Sequence, residues 1–121
     1  MRHLLLLAAA FGLSGCGGEI GTAADLTPPA TQMELDGSQQ EYIACILDVA
    51  KRLDDESQRP IAFALRIIPM CEMEFANWVA VATSGGNRFF RYGIAEDLQR
   101  QKEDLVIRMV VRERLDRRFG P

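Results

Sequence analysis

Ser38-Gln39-Gln40-Glu41-Tyr42-Ile43-Ala44-Cys45-Ile46-Leu47-Asp48-Val49-Ala50-Lys51-Arg52-Leu53 is the stretch whose pattern decides the fold class. Tyr42, Ile43, Ile46, Val49, Ala50 and Leu53 recur at spacings of three and four, which puts them on one helical face. Lys51, Arg52, Asp54 and Asp55 lie largely off that face, and Cys45 sits at its edge. Ser38 and Glu41 have the S-x-x-E spacing of a capping box, whose side chains satisfy the orphan N–H groups of a first turn. The pattern predicts a helix from Ser38 to about Asp55.

Outward from there, the turn Asp54-Asp55-Glu56-Ser57-Gln58-Arg59-Pro60 leads into a second helix. Ser57 can cap it, and Pro60 suits a first turn, where no backbone hydrogen bond is lost. Ile61, Ala64, Leu65, Ile68, Cys71, Phe75, Trp78, Val79 and Ala82 line a broad face, while Phe63, Ile67, Met70 and Val81 lie elsewhere. A helix apolar nearly all round belongs at the centre, between neighbours. Pro69 removes the bond to the Leu65 carbonyl and is expected to kink or break the helix. Thr83-Ser84-Gly85-Gly86-Asn87 ends it with a glycine stop signal.

After a loop Arg88-Phe89-Phe90-Arg91-Tyr92-Gly93, a third helix is expected from about Ile94 to Arg118. Ile94, Leu98, Leu105 and Met109 share a face. Glu96 with Arg100, Asp104 with Arg108 and Glu113 with Arg117 are i,i+4 pairs of the favoured orientation. Val106, Ile107, Val110 and Val111 would also suit a strand, but charged helix formers flank them on both sides. The fold class is therefore all-α: a three-helix bundle, or four-helix if Pro69 breaks the second helix, over residues 38–121. Short connections favour up-down packing of neighbours.

Cys45 and Cys71 lie at equal distances from the middle of the turn at position 58. In an antiparallel hairpin that puts them at one height, so a Cys45–Cys71 disulfide is expected to lock the first two helices. They do not form a C-x-x-C pair, which argues against a redox catalyst.

The chain begins MRHLLLLAAAFGLSGCGG. Met1, Arg2 and His3 form a short basic start. The apolar run from Leu4 to Gly12 is too short for a membrane span, which needs about 20 residues. Leu13-Ser14-Gly15-Cys16 then matches a lipobox at all four positions. Over these first residues the chain resembles the bacterial lipoproteins, whose signal peptide is cut before the lipobox cysteine. The resemblance implies that residues 1–15 are a signal peptide and that Cys16 carries a diacylglyceryl group on sulfur, usually with a further acyl group on the new amino terminus. Two or three chains hold stably where one anchors only marginally. Gly17 replaces the Asp that would retain a lipoprotein of enteric type in the inner membrane, so the resemblance implies an outer-membrane address facing the periplasm. That oxidising compartment agrees with a disulfide. Residues 16–37, rich in Gly, Thr, Ala and Pro, read as a flexible linker with a stiffer point at Pro28-Pro29.

Composition narrows the chemistry. The single histidine, His3, is lost with the leader, which excludes Ser–His and Cys–His catalysis and any zinc site built on histidine. Acid pairs at Asp54-Asp55-Glu56, Glu72/Glu74, Glu96-Asp97 and Glu103-Asp104 each fit a solvated helix face better than a cleft for glycoside hydrolysis. No D-x-D-x-D-G calcium loop occurs, and Ser84-Gly85-Gly86-Asn87 lacks the rest of a phosphate loop. No catalytic residue, metal site or cofactor is implied. From Cys16 to Ala80 there are 11 acids and 4 bases, and from Val81 to Pro121 there are 6 acids and 9 bases, giving −7 and +3. A dipole of that size can help helices pack; it is too weak to suggest nucleic acid.

The candidate partner-binding residues are Arg88, Phe89, Phe90, Arg91 and Tyr92. Aromatics interleaved with arginines suit stacking on a partner or contact with an anionic surface; the competing expectation is that Phe89 and Phe90 plug one end of the core. Trp78 is expected in the core, and Arg112 to Arg118 as a solvated helix end. The functional expectation is a non-enzymatic envelope lipoprotein, held to the membrane by its acyl chains and serving an envelope protein or a wall component. The alternative is an inhibitor or immunity-type lipoprotein directed at a wall-degrading enzyme, a phage or a toxin.

Overall fold

The structure is a computed structural model that describes residues 28–121. The expected signal peptide, lipobox (Leu13, Ser14, Gly15) and acylated Cys16 lie outside the described residues. Four α-helices follow one another: α1 (Gln32–Leu53), α2 (Pro60–Ile67), α3 (Glu72–Ala82) and α4 (Arg88–Phe119), with a 3₁₀ turn at Ile68–Cys71 between α2 and α3. No strand occurs among the described residues, and none of their helices is long and apolar enough to cross a membrane. The Val106–Val111 run is helical throughout.

α1 begins six residues before the expected start. Its capping box is Thr31 with Glu34: the Glu34 N–H donates to Thr31 Oγ1 at 3.2 Å, and the Thr31 N–H donates to Glu34 Oε2 at 2.7 Å. Residues 32–37, expected in the linker, are therefore the first turns of α1. The Ser38-x-x-Glu41 pattern lies inside the helix, and the buried Ser38 hydroxyl donates back to the Leu35 carbonyl at 2.9 Å. The Thr31–Glu34 box satisfies the same spacing rule about two turns earlier, and the helix runs on through Gly37.

Pro69 breaks the second helix, and the break changes which face is buried. Phe63, Ala64 and Ile67 are buried before it, and Cys71, Phe75 and Trp78 after it; Ile61 and Leu65, expected on the inner face, are exposed. α2 packs chiefly on α4 and α3 chiefly on α1. A continuous rod could not turn one stripe to both neighbours, whereas two short rods can. The core closes over Tyr42, Ile46, Val49 and Ala50 from α1 and Val106, Met109 and Val110 from α4. Ile43 packs at its margin and Leu53 is exposed.

The Cys45–Cys71 disulfide is present, with Cα atoms 6.0 Å apart. It ties α1 to the 3₁₀ turn, directly after Pro69. Close by, Tyr42, Phe75 and Trp78 form an aromatic cluster with centroids 5.3 to 6.0 Å apart. Lys102 Nζ lies 4.3 Å from the centre of the Phe75 ring and 3.3 Å from Glu72.

The rods run down, up and down, so the molecule has two ends. One holds Pro28–Thr31, the α3–α4 connection and the start of α4. The other holds the Asp54–Arg59 turn and the end of α4, about 33 Å away along the 22 residues of α1.

Candidate functional site

Arg88 to Tyr92 form the first turns of α4 where a loop was expected. Asn87 is the reason: its side chain accepts from the Phe90 N–H at 2.9 Å and starts the helix before the aromatics. Gly85 adopts φ +75°, the left-handed conformation that ends the α3 segment and reverses the chain. A Cβ on Gly85 would come within 2.4 Å of the Pro29 nitrogen, so the incoming chain lies directly against this turn. The Ala30 N–H donates to Ser84 Oγ at 3.0 Å, and Pro29 and Phe90 line one shallow cleft with Gly86 and Asn87.

The expected plug is not formed. Phe89 is 90% exposed, and Phe90 and Tyr92 are exposed beside it. Trp78 and Phe75 belong to the buried core, and Phe89, Phe90 and Tyr92 do not. Met33, on the first turn of α1, is 83% exposed as well. Arg88 and Arg91 make no ion pair among the described residues, and the first turn of α4 carries no acid. The nearby acids are engaged: Glu34 in its capping box, Asp36 by Gln32, Glu96 by the Tyr92 hydroxyl at 3.1 Å, and Asp97 by Arg100. Arg100 thus pairs with Asp97 in place of the expected Glu96, while Asp104–Arg108 and Glu113–Arg117 form as expected at 2.8 and 3.5 Å.

The other end is a clamp: Arg112 and Arg118 are exposed, as expected of a solvated helix end, but Arg114 and Arg117 are bound into the fold. Arg114 donates to both Asp54 carboxylate oxygens at 2.8 and 2.9 Å and to the Gln58 carbonyl at 2.9 Å. Arg117 donates to the Asp54 and Ala50 carbonyls, each at 2.8 Å, which serves the orphan acceptors at the end of α1. Arg118 meets Glu56 at 3.2 Å. Burial raises the Asp54 pKa, but the Arg114 hydrogen bonds, the Glu56 N–H and the charges of Arg114 and Arg117 outweigh it, and the carboxyl ends below its usual range. These arginines are occupied within the fold.

A groove of about 560 Å³ runs between α1 and α4, with Ile43, Leu47, Leu105 and Met109 in its wall and Lys51, Arg108 and Arg112 among its charged residues. Sequence spacing did not single it out, because its walls come from two helices far apart in the chain. Cys45, Cys71 and Glu74 bring three ligand atoms within 4.8 Å of one another, but the disulfide uses both sulfurs.

No family model, curated protein or solved structure matches the chain.

Proposed function

We propose that this chain is a non-enzymatic lipoprotein of the cell envelope, an accessory interaction module tethered through acyl chains on Cys16 and facing the periplasm from the outer membrane. The observation that carries the interaction role is the exposure of Arg88, Phe89, Phe90 and Tyr92, with Arg91 half-buried among them, on a capped helix end. Large apolar side chains grouped on an otherwise buried-core bundle mark contact surfaces. The leader and lipobox supply the address. The test is crosslinking in intact cells, with identification of what is captured, repeated on a chain in which Phe89, Phe90 and Arg91 are replaced together. Lost capture with an unchanged unfolding temperature supports a contact surface; unchanged capture contradicts it.

The same aromatic turn favours a second reading, an inhibitor or immunity-type lipoprotein that blocks a wall-degrading enzyme, a phage or a toxin. Such a protein protects cells against one lytic agent, and the triple replacement would abolish that protection without lowering the protein's abundance.

A further inference from the structure

We propose that the end of the bundle carrying Met33, Arg88, Phe89, Phe90, Arg91 and Tyr92 seats directly on an anionic phospholipid bilayer. The inference rests on the lipid anchor proposed above and names what this surface contacts.

The placement follows from where the chain enters the fold. Pro28 and Pro29 pack beside Ala80, Val81 and Ser84, and Ala30 is hydrogen-bonded to Ser84, so the entry point lies on the α3–α4 turn. Between Cys16 and Pro28 stand the 11 residues 17–27. Fully extended they reach about 40 Å. A flexible connector of that length spans roughly 18 Å on average, less than the ~33 Å length of the bundle, so an acylated Cys16 keeps this end nearer the membrane than the Asp54 clamp.

The chemistry at that end fits a lipid headgroup layer. Phe89, Phe90 and Tyr92 offer rings at the depth where amphipathic aromatics partition, and Met33 adds an apolar contact from α1. Among the described residues Arg88 and Arg91 make no ion pair, they are interleaved with those rings, and basic residues near an anionic leaflet are drawn to it. Of the described acids nearby, Glu34, Asp36 and Glu96 accept hydrogen bonds from neutral neighbours, and Asp97 alone is ion-paired, with Arg100. The opposite end spends Arg114, Arg117 and Arg118 on Asp54, Ala50, Gln58 and Glu56, yet it too exposes Phe119, Leu115 and Arg59, so it is the position of the tether that selects between the two ends. A tether brings the two surfaces together, so each weak contact acts at high effective concentration.

The experiment places one fluorophore at each end of the mature, membrane-extracted protein. With Cys16 acylated and Cys45 bonded to Cys71, a single new cysteine is the only free thiol. Gly93→Cys reports beside the patch, where a side chain meets nothing within 4 Å, and Gln58→Cys reports from the exposed clamp turn. Each is reconstituted into phosphatidylcholine vesicles with or without phosphatidylglycerol, and quenching by a nitroxide-bearing lipid is measured. The proposal expects the label at 93 to be quenched severalfold more than that at 58. It expects the excess to fall without phosphatidylglycerol and in an Arg88→Gln, Phe89→Ser, Arg91→Gln, Tyr92→Ser background. Equal quenching at the two ends, or an excess indifferent to lipid charge, overturns the seat. Intact mass on the same sample separates the two readings. An unacylated chain overturns the anchor and the seat with it, whereas an acylated chain with equally quenched labels overturns the seat alone.

Discussion

The Asp54 side chain is 1% exposed and that of Arg114 11%, so neither charge keeps much of its hydration. Two carboxylate bonds from one guanidinium, with a third to Gln58, replace that water with fixed donors and acceptors. Removing one partner strands the other, so Arg114→Ala should lower stability by about 3–5 kcal/mol in urea unfolding. Arg114→Lys should recover only part of it, because an ammonium cannot make the paired bonds. The sign of the pH dependence follows from the lowered Asp54 pKa. The carboxylate's contribution is fully present above the unfolded value of about 3.9 and is lost as pH falls through the lower folded value, so acid unfolding should move to higher pH in Arg114→Ala. Tyr42 presents the opposite case. Its hydroxyl is buried with no partner among the described residues, and burial, with the Glu72 charge, pushes its pKa up to about 12. Tyr42→Phe should therefore leave stability equal or raise it by about 1 kcal/mol, and one of the two tyrosines should titrate late in an absorbance titration. Residues 60 apart such as Asp54 and Arg114 leave no local pattern to read. Cys45 and Cys71 were legible because their equal distance from one turn is itself a local pattern.

At the scale of elements, both missed boundaries fall where glycine lies inside a helix. Gly37 and Gly93 read as linker and loop, yet α1 runs through the first and α4 through the second. Neither glycine is needed for space or for a positive φ, since an added Cβ meets nothing within 4 Å. Gly37→Ala and Gly93→Ala should each stabilise the fold by about 0.5–1 kcal/mol, a gain a linker or loop would not give. Gly85→Ala should do the reverse, because both its φ and its contact with Pro29 exclude a side chain. The start of α1 was missed because Thr31 and Glu34 carry the same capping spacing as Ser38 and Glu41, and that of α4 because Asn87, the last residue of a helix-stop signal, caps the next helix. The break at Pro69 was readable from the ring chemistry of proline. The exchange of Ile61 and Leu65 for Phe63 and Ile67 on the inner face was not, because it depends on which neighbour each half meets.

For the whole molecule, the uneven charge of the chain becomes a set of contacts between its halves. Asp54–Arg114, Glu56–Arg118 and Glu72–Lys102 each join an acid from the first half to a base from the second. The all-α class, the disulfide and the Trp78 core position were legible from periodicity and symmetry, and the exposure of Phe89 was not, since an aromatic turn suits a core plug as well as a surface. A bundle this small leans on its cross-link. Reduction of Cys45–Cys71, which closes a separation of 26 residues, should cost roughly 3–4 kcal/mol and lower the unfolding temperature. A disulfide-locked bundle held to a membrane through Cys16 is tested by the intact mass of the membrane-extracted protein after alkylation without reduction. The expected chain begins at Cys16, is heavier by two or three acyl groups and carries no alkylated thiol. An uncleaved, unacylated chain with three alkylated cysteines would contradict it.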